Sequence, residues 1–296
     1  MNRLSLNLNQ LSGRIPKEIS RFTNLEFLYL ISNKINGLIP PELGSLSKLK
    51  DLRLSKNELT GQIPAEMGNL NKLEVLFLDS NKISGPIPNG ILNLPNLKNI
   101  DLSFNSFDTL PEIVSIAPFS FFNVVNNKLT FGSLESYVDI QGIKYSPQLP
   151  IGEKTTISIN QGESYTFFVD VGGQHNHYQW YKDEVIIPEA TDASYSINWL
   201  TSTDTGDYIC HVTNNLATDL TIYSQPIHLY VNKILYGDAN GDNILNTVDV
   251  FEILKVLSGN LYIIDNVAAD YDQDGKVDIT DVLQLMEFLS HRNDQF

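Results

Sequence analysis

The chain has 296 residues, with 35 acidic against 20 basic side chains and a formal charge of −15. That length suggests about two domains, a prior that internal repeats distort. The acidic balance argues against nucleic acid, whose phosphate backbone needs a basic surface, and no run of about 18 apolar residues is present to span a membrane.

The charge is uneven. From Lys233 onward there are 12 Asp/Glu against 4 Lys/Arg, a net of −8 in the last 64 residues. A single cysteine, Cys210, excludes an intrachain disulfide. The start, Met1-Asn-Arg-Leu-Ser-Leu, lacks the apolar segment of a signal peptide.

Residues 1–108 repeat every 24 positions. Leu25, Leu49, Leu73 and Leu97 share one phase, and Leu28, Leu52, Leu76 and Ile100 a second. Leu30, Leu54, Leu78 and Leu102 share a third. Asn9, Asn33, Asn57, Asn81 and Asn105 recur without a break, followed by Gly13, Gly37, Gly61 and Gly85 and by Ile-Pro pairs. Such a period marks a solenoid, in which stacked coils bury a core that one coil cannot. The buried asparagines are expected to hydrogen-bond backbone groups of neighbouring turns. Phe119, Phe122, Val124, Asn127 and Leu129 fill the same slots in a sixth, shorter coil. This pattern resembles the leucine-rich repeat family, and its Gly-x-Ile-Pro element resembles the variant best known from plants.

The phase gives three outward columns on the expected concave sheet. They are Arg3, Phe27, Asp51, Val75, Asn99; then Ser5, Tyr29, Arg53, Phe77, Asp101; then Asn7, Ile31, Ser55, Asp79, Ser103. Exposed aromatics beside an arginine favour binding, so Phe27, Tyr29, Arg53 and Phe77 form the expected recognition patch. The bland reading is a solvated face with scattered aromatics. Because no polar cap precedes the first coil, the natural protein is expected to begin further upstream, where a cap and an export signal would lie.

A proline-containing linker is expected at 145–150. Beyond it, short alternating segments at 155–160, 164–171, 178–182, 194–200, 207–213 and 222–231 read as an all-β sandwich. Gln179-Trp180-Tyr-Lys lies about 30 residues before Asp204-Thr-Gly206-Asp-Tyr208-Ile-Cys210. This resembles the immunoglobulin-like family, which implies Trp180 as the core tryptophan and Tyr208 as the tyrosine corner. The segment around Phe167 to Val169 offers Cys210 no partner, so the thiol is expected to be buried and inert rather than catalytic. His175 and His177 without further ligands make a poor metal site, and an ordinary polar loop is the favoured reading.

The C-terminal region carries two acidic loops, 238–249 and 270–281, set 32 residues apart. Each has oxygen-bearing side chains at loop positions 1, 3, 5, 9 and 12, spacing that wraps a hard cation with position 7 giving a backbone carbonyl. Position 6 needs a left-handed backbone, which Gly275 adopts freely and Asn243 next best. Each loop runs into an amphipathic segment, 250–257 or 282–289, and position 12 is Asp rather than the usual Glu of an EF-hand.

This duplicated loop-helix pattern resembles the dockerin family. The resemblance implies Ca²⁺ at two sites, held by Asp238, Asn240, Asp242, Asn246 and Asp249 with the carbonyl of Ile244, and by Asp270, Asp272, Asp274, Asp278 and Asp281 with that of Lys276. It implies a cohesin-like partner contacted by Thr247, Val248, Ile279 and Thr280. The best-known clostridial pairs use Ser-Thr-like residues there, from which Val248 and Ile279 depart. A calcium-stabilised cap without a partner is the competing reading.

The fold class expected is multidomain: a leucine-rich repeat solenoid at 1–144, an all-β immunoglobulin-like sandwich at 145–232, and a small all-α dockerin-like calcium module at 233–296. No catalytic constellation stands out, so the expected function is a non-catalytic, secreted or surface-exposed bacterial adaptor. The alternatives are an adhesin whose calcium module is purely structural, and a fragment of a polysaccharide-degrading, dockerin-bearing enzyme.

Overall fold

The computed structural model describes residues 1–112, 119–259 and 264–293. The chain falls into two compact units. One gathers Met1–Thr155, Thr166–Tyr195 and Asp207–Ile227; the other gathers Thr156–Tyr165, Ser196–Gly206 and His228–Phe296.

The first unit opens with short strands in alternation. They are β1 (Arg3–Ser5), β2 (Ser12–Gly13), β3 (Phe27–Tyr29), β4 (Lys34–Leu38), β5 (Asp51–Arg53) and β6 (Glu58–Gly61). There follow β7 (Val75–Phe77), β8 (Lys82–Pro86), helical turn α1 (Asn89–Leu92), β9 (Asn99–Asp101), β10 (Ser106–Thr109), β11 (Phe121–Asn123), helical turn α2 (Phe131–Leu134) and β12 (Ile143–Lys144). One parallel sheet runs β1-β3-β5-β7-β9-β11-β12, and a second runs β10-β8-β6-β4-β2. Three-residue strands are too short to stand alone, so stacking fixes them. Leu28, Leu52, Leu76, Ile100 and Phe122 are fully buried beneath the seven-stranded sheet, while their neighbours alternate outward.

The asparagine ladder bonds as the sequence implies. Asn57 Oδ1 accepts the Ile35 N–H at 3.1 Å, and its Nδ2 donates to Leu30 O and Leu54 O, both at 2.9 Å. Asn33, Asn81, Asn105 and Asn127 repeat these contacts. The residue before each rung, such as Ser32, Lys56 or Ser80, takes a left-handed φ near +56° that turns the chain.

The segment 145–150 is not a linker. The Pro147 carbonyl accepts from Asn126 N, and Leu149 N donates to Asn127 O, each at 2.7 Å. Gln148 takes the rung's role, accepting from Asn127 N at 3.1 Å and donating to Val124 O at 3.0 Å. A seventh strand, β12, therefore closes a solenoid that the 24-residue period alone extends only to a sixth coil.

Eight further strands follow: β13 (Thr155–Asn160), β14 (Tyr165–Phe168), β15 (Asn176–Lys182), β16 (Val185–Ile186), β17 (Ser194–Ile197), β18 (Gly206–Asn214), β19 (Ile222–Tyr223) and β20 (Ile227–Asn232). The expected strand at 222–231 is two, because Pro226 has no N–H to donate to a ladder. Within the first unit, β15 pairs antiparallel with β16 and β18, placing Trp180 opposite Cys210. Trp180 is fully buried and donates to Asp192 O at 3.0 Å. Phe167 stacks on Tyr208 with centroids 4.2 Å apart and lies 5.8 Å from Trp180. Aromatic packing thus holds a core that contains no disulfide, and burial pushes the Cys210 thiol up to about 12, an inert protonated form.

The end of the solenoid is joined to these strands. Gly132 N donates to Val171 O at 2.9 Å, and a Cβ on Gly132 would stand 3.2 Å from the Gly172 Cα, closer than a side chain allows without movement. Glu135 Oε1 accepts from Asn214 Nδ2 at 2.6 Å, from Gln174 N at 2.9 Å and from His175 N at 3.2 Å.

The second unit contains α3 (Thr247–Leu257), α4 (Asn266–Ala269) and α5 (Ile279–Asn293). Val250, Ile253, Val282 and Leu285 bury the facing sides of α3 and α5 around Ala239, Ala269 and Leu289. Both long helices start three residues before the expected segments, because the loop residue at position 9 supplies the cap. Asn246 accepts from Val248 N, while Asp249 returns a bond to Asn246 N, a capping box. A short helix, α4, precedes the second loop and is capped by Asp265.

Candidate metal loops and an aromatic face

The two acidic loops carry the same set of hydrogen bonds donated by backbone N–H groups, residue for residue, at an offset of 32. In the first, Asp238 accepts from Asp242 N at 3.1 Å and from Asn243 N at 2.8 Å. Asn240 accepts from Asp242 N, Asp242 from Ile244 N, and Asn246 from Val248 N. Asp249 spans the loop, accepting from Asn240 N at 3.4 Å and Asn246 N at 3.0 Å. In the second, Asp270 accepts from Asp274 N and Gly275 N, Asp272 from Asp274 N, Asp274 from Lys276 N, and Asp278 from Thr280 N. Asp281 spans that loop from Asp272 N at 3.2 Å to Asp278 N at 2.7 Å.

These bonds explain the aspartate at position 12. Its two oxygens tie positions 3 and 9 of the same loop, and Asp249 and Asp281 are buried to do so. Position 6 is left-handed in both loops, φ +65° at Asn243 and +90° at Gly275, as the reading of the sequence requires. Position 4 is left-handed as well, at Gly241 and Gln273.

The donor set suits a hard, oxygen-seeking cation. Carboxylate oxygens of Asp270, Asp272 and Asp274 lie within 4.8 Å of one another, the one such acidic or histidine group among the described residues. The electrostatics show the crowding. Burial raises the Asp249 carboxyl above its ordinary range, with Asp238 and Asp242 adding repulsion. Asp272 is raised by desolvation and by the charges of Asp274, Asp281 and Asp270. Bonds from Thr280 lower Asp278.

Among the residues expected at a partner surface, Thr247, Val248, Ile279 and Thr280 are all exposed at the starts of α3 and α5. Phe251, Leu254, Leu283 and Met286 extend the exposed apolar surface along the same helices.

On the outward face of the seven-stranded sheet, the columns lie in register as the period implies. The Arg53 guanidinium sits 5.3 Å from the Tyr29 ring centroid and 4.9 Å from that of Phe77. It is held there by a two-pronged pair with Asp51, at 2.9 and 3.0 Å. Tyr29 Oη donates to the same carboxylate at 2.8 Å, and burial with this bond raises the phenol. Phe27 packs edge-on against Tyr29.

Three members escaped the sequence-derived patch. Arg3 lies 5.0 Å from the Tyr29 centroid, Phe121 meets Phe77 at 6.3 Å, and Lys144 lies 5.7 Å from Phe121. Arg3 stands in the expected column, but Phe121 and Lys144 belong to coils whose spacing departs from 24.

His175 and His177 face different partners. His175 Nδ1 lies 3.6 Å from Glu135, and His177 Nε2 lies 2.9 Å from Asn215 Oδ1.

Residues 24–46 and 47–107 match leucine-rich repeat family models, and residues 236–290 match the dockerin type I domain. The chain thus carries leucine-rich repeats and a dockerin type I module. Dockerin type I domains bind calcium. Among solved structures, the chain is similar to the leucine-rich repeat ectodomain of the plant membrane receptor kinase GASSHO1/SCHENGEN3 from Arabidopsis thaliana, in complex with CASPARIAN STRIP INTEGRITY FACTOR 2. Identity is 30% over 52% of this chain and 19% of that one, with a TM-score of 0.45. It is also similar to the ectodomain of the receptor kinase SOBIR1 from Arabidopsis thaliana, at 35% identity over 43% of this chain and 70% of that one, with a TM-score of 0.40. The chain spans only about a quarter of the plant peptide hormone receptor RGFR1, which it matches at 29% identity over 52% of its own length with a TM-score of 0.44. No curated protein sequence gives a match. No helix among the described residues is long and apolar enough to cross a membrane.

Proposed function

We propose that this chain is a non-catalytic, secreted or surface-exposed bacterial adaptor with two attachment surfaces. The aromatic and arginine face of the solenoid recognises a protein. The dockerin domain, residues 233–296, attaches to a cohesin-like partner through Thr247, Val248, Ile279 and Thr280. The strands from 155 to 232 act as an immunoglobulin-like sandwich, a reading supported by the buried Trp180, Tyr208 and Cys210.

The observation that supports the reading is the backbone hydrogen-bond network repeated 32 residues apart, in which the side chains of the expected ligands take part. Two calcium ions, one per loop, offset the repulsion of eight carboxylates and couple metal binding to folding of this domain. Asp238, Asn240, Asp242, Asn246, Asp249 and the Ile244 carbonyl would hold one ion. Asp270, Asp272, Asp274, Asp278, Asp281 and the Lys276 carbonyl would hold the other.

The test is capture of partners from the source secretome with immobilised full chain, with calcium and again with EDTA. A cohesin-bearing protein retained only with calcium is expected; capture unaffected by EDTA, or none at all, would refute calcium-dependent attachment. Limited proteolysis with EDTA should cut beyond residue 236 and spare the solenoid.

An adhesin reading is favoured by one observation, the stack of Arg3, Tyr29, Arg53 and Phe77 on the sheet face. It requires cell-surface binding that persists in EDTA.

A further inference from the structure

The two loops differ in one chemical respect that their shared backbone makes plain. Positions 3 and 9 are asparagine in the first loop, Asn240 and Asn246, and aspartate in the second, Asp272 and Asp278. In every case one side-chain oxygen is committed to a backbone N–H of the same loop. That commitment decides which way each asparagine amide points, leaving its NH₂ on the other side. The Asn240 amide donates to Asp242 Oδ2 at 3.0 Å, and the Asn246 amide donates to the Ile244 carbonyl at 3.2 Å. Both acceptors are ligand atoms of the calcium reading, at positions 5 and 7. The first loop therefore satisfies two of its own ligand oxygens without a metal.

The second loop has no donor amide at these two positions; its own side-chain bond to a ligand residue is that of the Thr280 hydroxyl to Asp278. Where the first loop has a donor amide, Asp272 and Asp278 present a second carboxylate oxygen, which has no proton to give. Among the described residues, Asp272 Oδ2 takes one long bond, 3.3 Å, from Gln284 Nε2. The ligand side chains carry −3 in the first loop (Asp238, Asp242, Asp249) and −5 in the second (Asp270, Asp272, Asp274, Asp278, Asp281), with Lys276 returning one charge. Ligand charge count is a main determinant of calcium affinity, and a site that must break its own hydrogen bonds to admit the ion gains less from it.

We propose, resting on the two-site calcium reading above, that the loops load in sequence: the second binds first and tightly, and the first binds weakly and reversibly. The second ion is then structural, holding α5 against α3. The first responds to changes in the surrounding calcium while the domain stays folded, and it grades the partner surface at Thr247 and Val248 beside it.

The test is calorimetric titration of calcium alone into the metal-stripped full chain, with the helical circular dichroism signal followed in parallel. Two sites separated by at least about tenfold in affinity are expected, with most of the gain in helix accompanying the first. The variant N240D/N246D, which gives the first loop the second loop's ligands, should tighten the weak site about tenfold and close the gap. The variant D272N/D278N should weaken the tight site. Should that variant fail to fold with saturating calcium, this too supports a structural role for the second ion, since the first loop is intact in it. One binding site in the parent chain would sink both the two-site reading and the order. Two sites of equal affinity, or a weak site that N240D/N246D leaves unchanged, would sink the order alone.

Discussion

Gln148 Oε1 accepts the backbone N–H of Asn127 at 3.1 Å, so a glutamine continues a ladder otherwise built of asparagines. Asn127 below it is fully buried, donating to Leu102 O and Val124 O and accepting from Phe107 N. Asn127→Ala strands the Phe107 N–H in the core, while Leu102 O and Val124 O each lose one donor and keep Asn105 Nδ2 and Gln148 Nε2. A stranded buried N–H costs about 1–3 kcal/mol, so a loss of about 2 kcal/mol is expected. Asn9 offers the internal control. It is exposed and, among the described residues, bonds Leu6 O and Asn7 O within its own coil, so Asn9→Ala should cost under about 0.5 kcal/mol. Urea unfolding of the full chain, followed through the solenoid transition, checks both. Equal losses would mean that the ladder does not stabilise through burial.

The ladder also marks where the sequence ceases to be legible. A strict 24-residue period exposes core and outward columns alike, because each coil repeats one geometry. The final coils depart from it. Phe122 follows Ile100 by 22 residues, and Gln148 reaches its partners by an extra methylene rather than by the same spacing. The seventh strand and the partners Phe121 and Lys144 were accordingly hidden. The acidic loops were legible for the opposite reason: the residues of each lie within 12 consecutive positions, so spacing alone brings them together. Glu135 had no such signal. Its partners lie 39 to 79 residues away, and only the folded chain brings them to it.

Glu135 gives the first unit a defined response to acid. Burial pushes its carboxyl up, but bonds from Asn214, Gln174 N and His175 N outweigh burial and hold it below the ordinary value. His175 is the titratable group facing it, at 3.6 Å. A carboxylate whose folded pKa is depressed contributes stability that is complete above its unfolded value, about 4.3, and is lost as pH falls toward the lower folded value. The first unit should therefore weaken below about pH 4 in the parent chain, and Glu135→Gln should remove that part of the slope. At neutral pH, Glu135→Ala should cost about 1–2 kcal/mol, because it removes a charged acceptor from the part-buried Asn214 amide, while the exposed Gln174 and His175 N–H groups turn to water. Urea midpoints across this pH range supply the measurement. An unchanged slope in Glu135→Gln would assign the acid sensitivity elsewhere.

The outward face of the seven-stranded sheet makes the sharpest demand on side-chain identity. Arg53 is planar, stacked between Tyr29 and Phe77, and anchored to Asp51 through two nitrogens. Lysine keeps the charge but offers neither the fork nor the flat surface, so Arg53→Lys is not a conservative change here. Both rings would lose the group that orders them, yet the leucine core beneath would be untouched. Stability should fall by under about 1 kcal/mol, since the pair with Asp51 is partly exposed. Partner binding should fall further, by about tenfold or more, if this stack is the anchor of the interface. Tyr29→Ala and Phe77→Ala should give losses of the same order. Because all three residues serve one stack, the double variant Tyr29→Ala/Arg53→Lys should lose less than the sum of its single losses. Calorimetry with a captured partner, alongside urea unfolding of each variant, separates the two effects. Binding losses that merely track stability would remove the stack from the recognition surface and leave it as packing between coils.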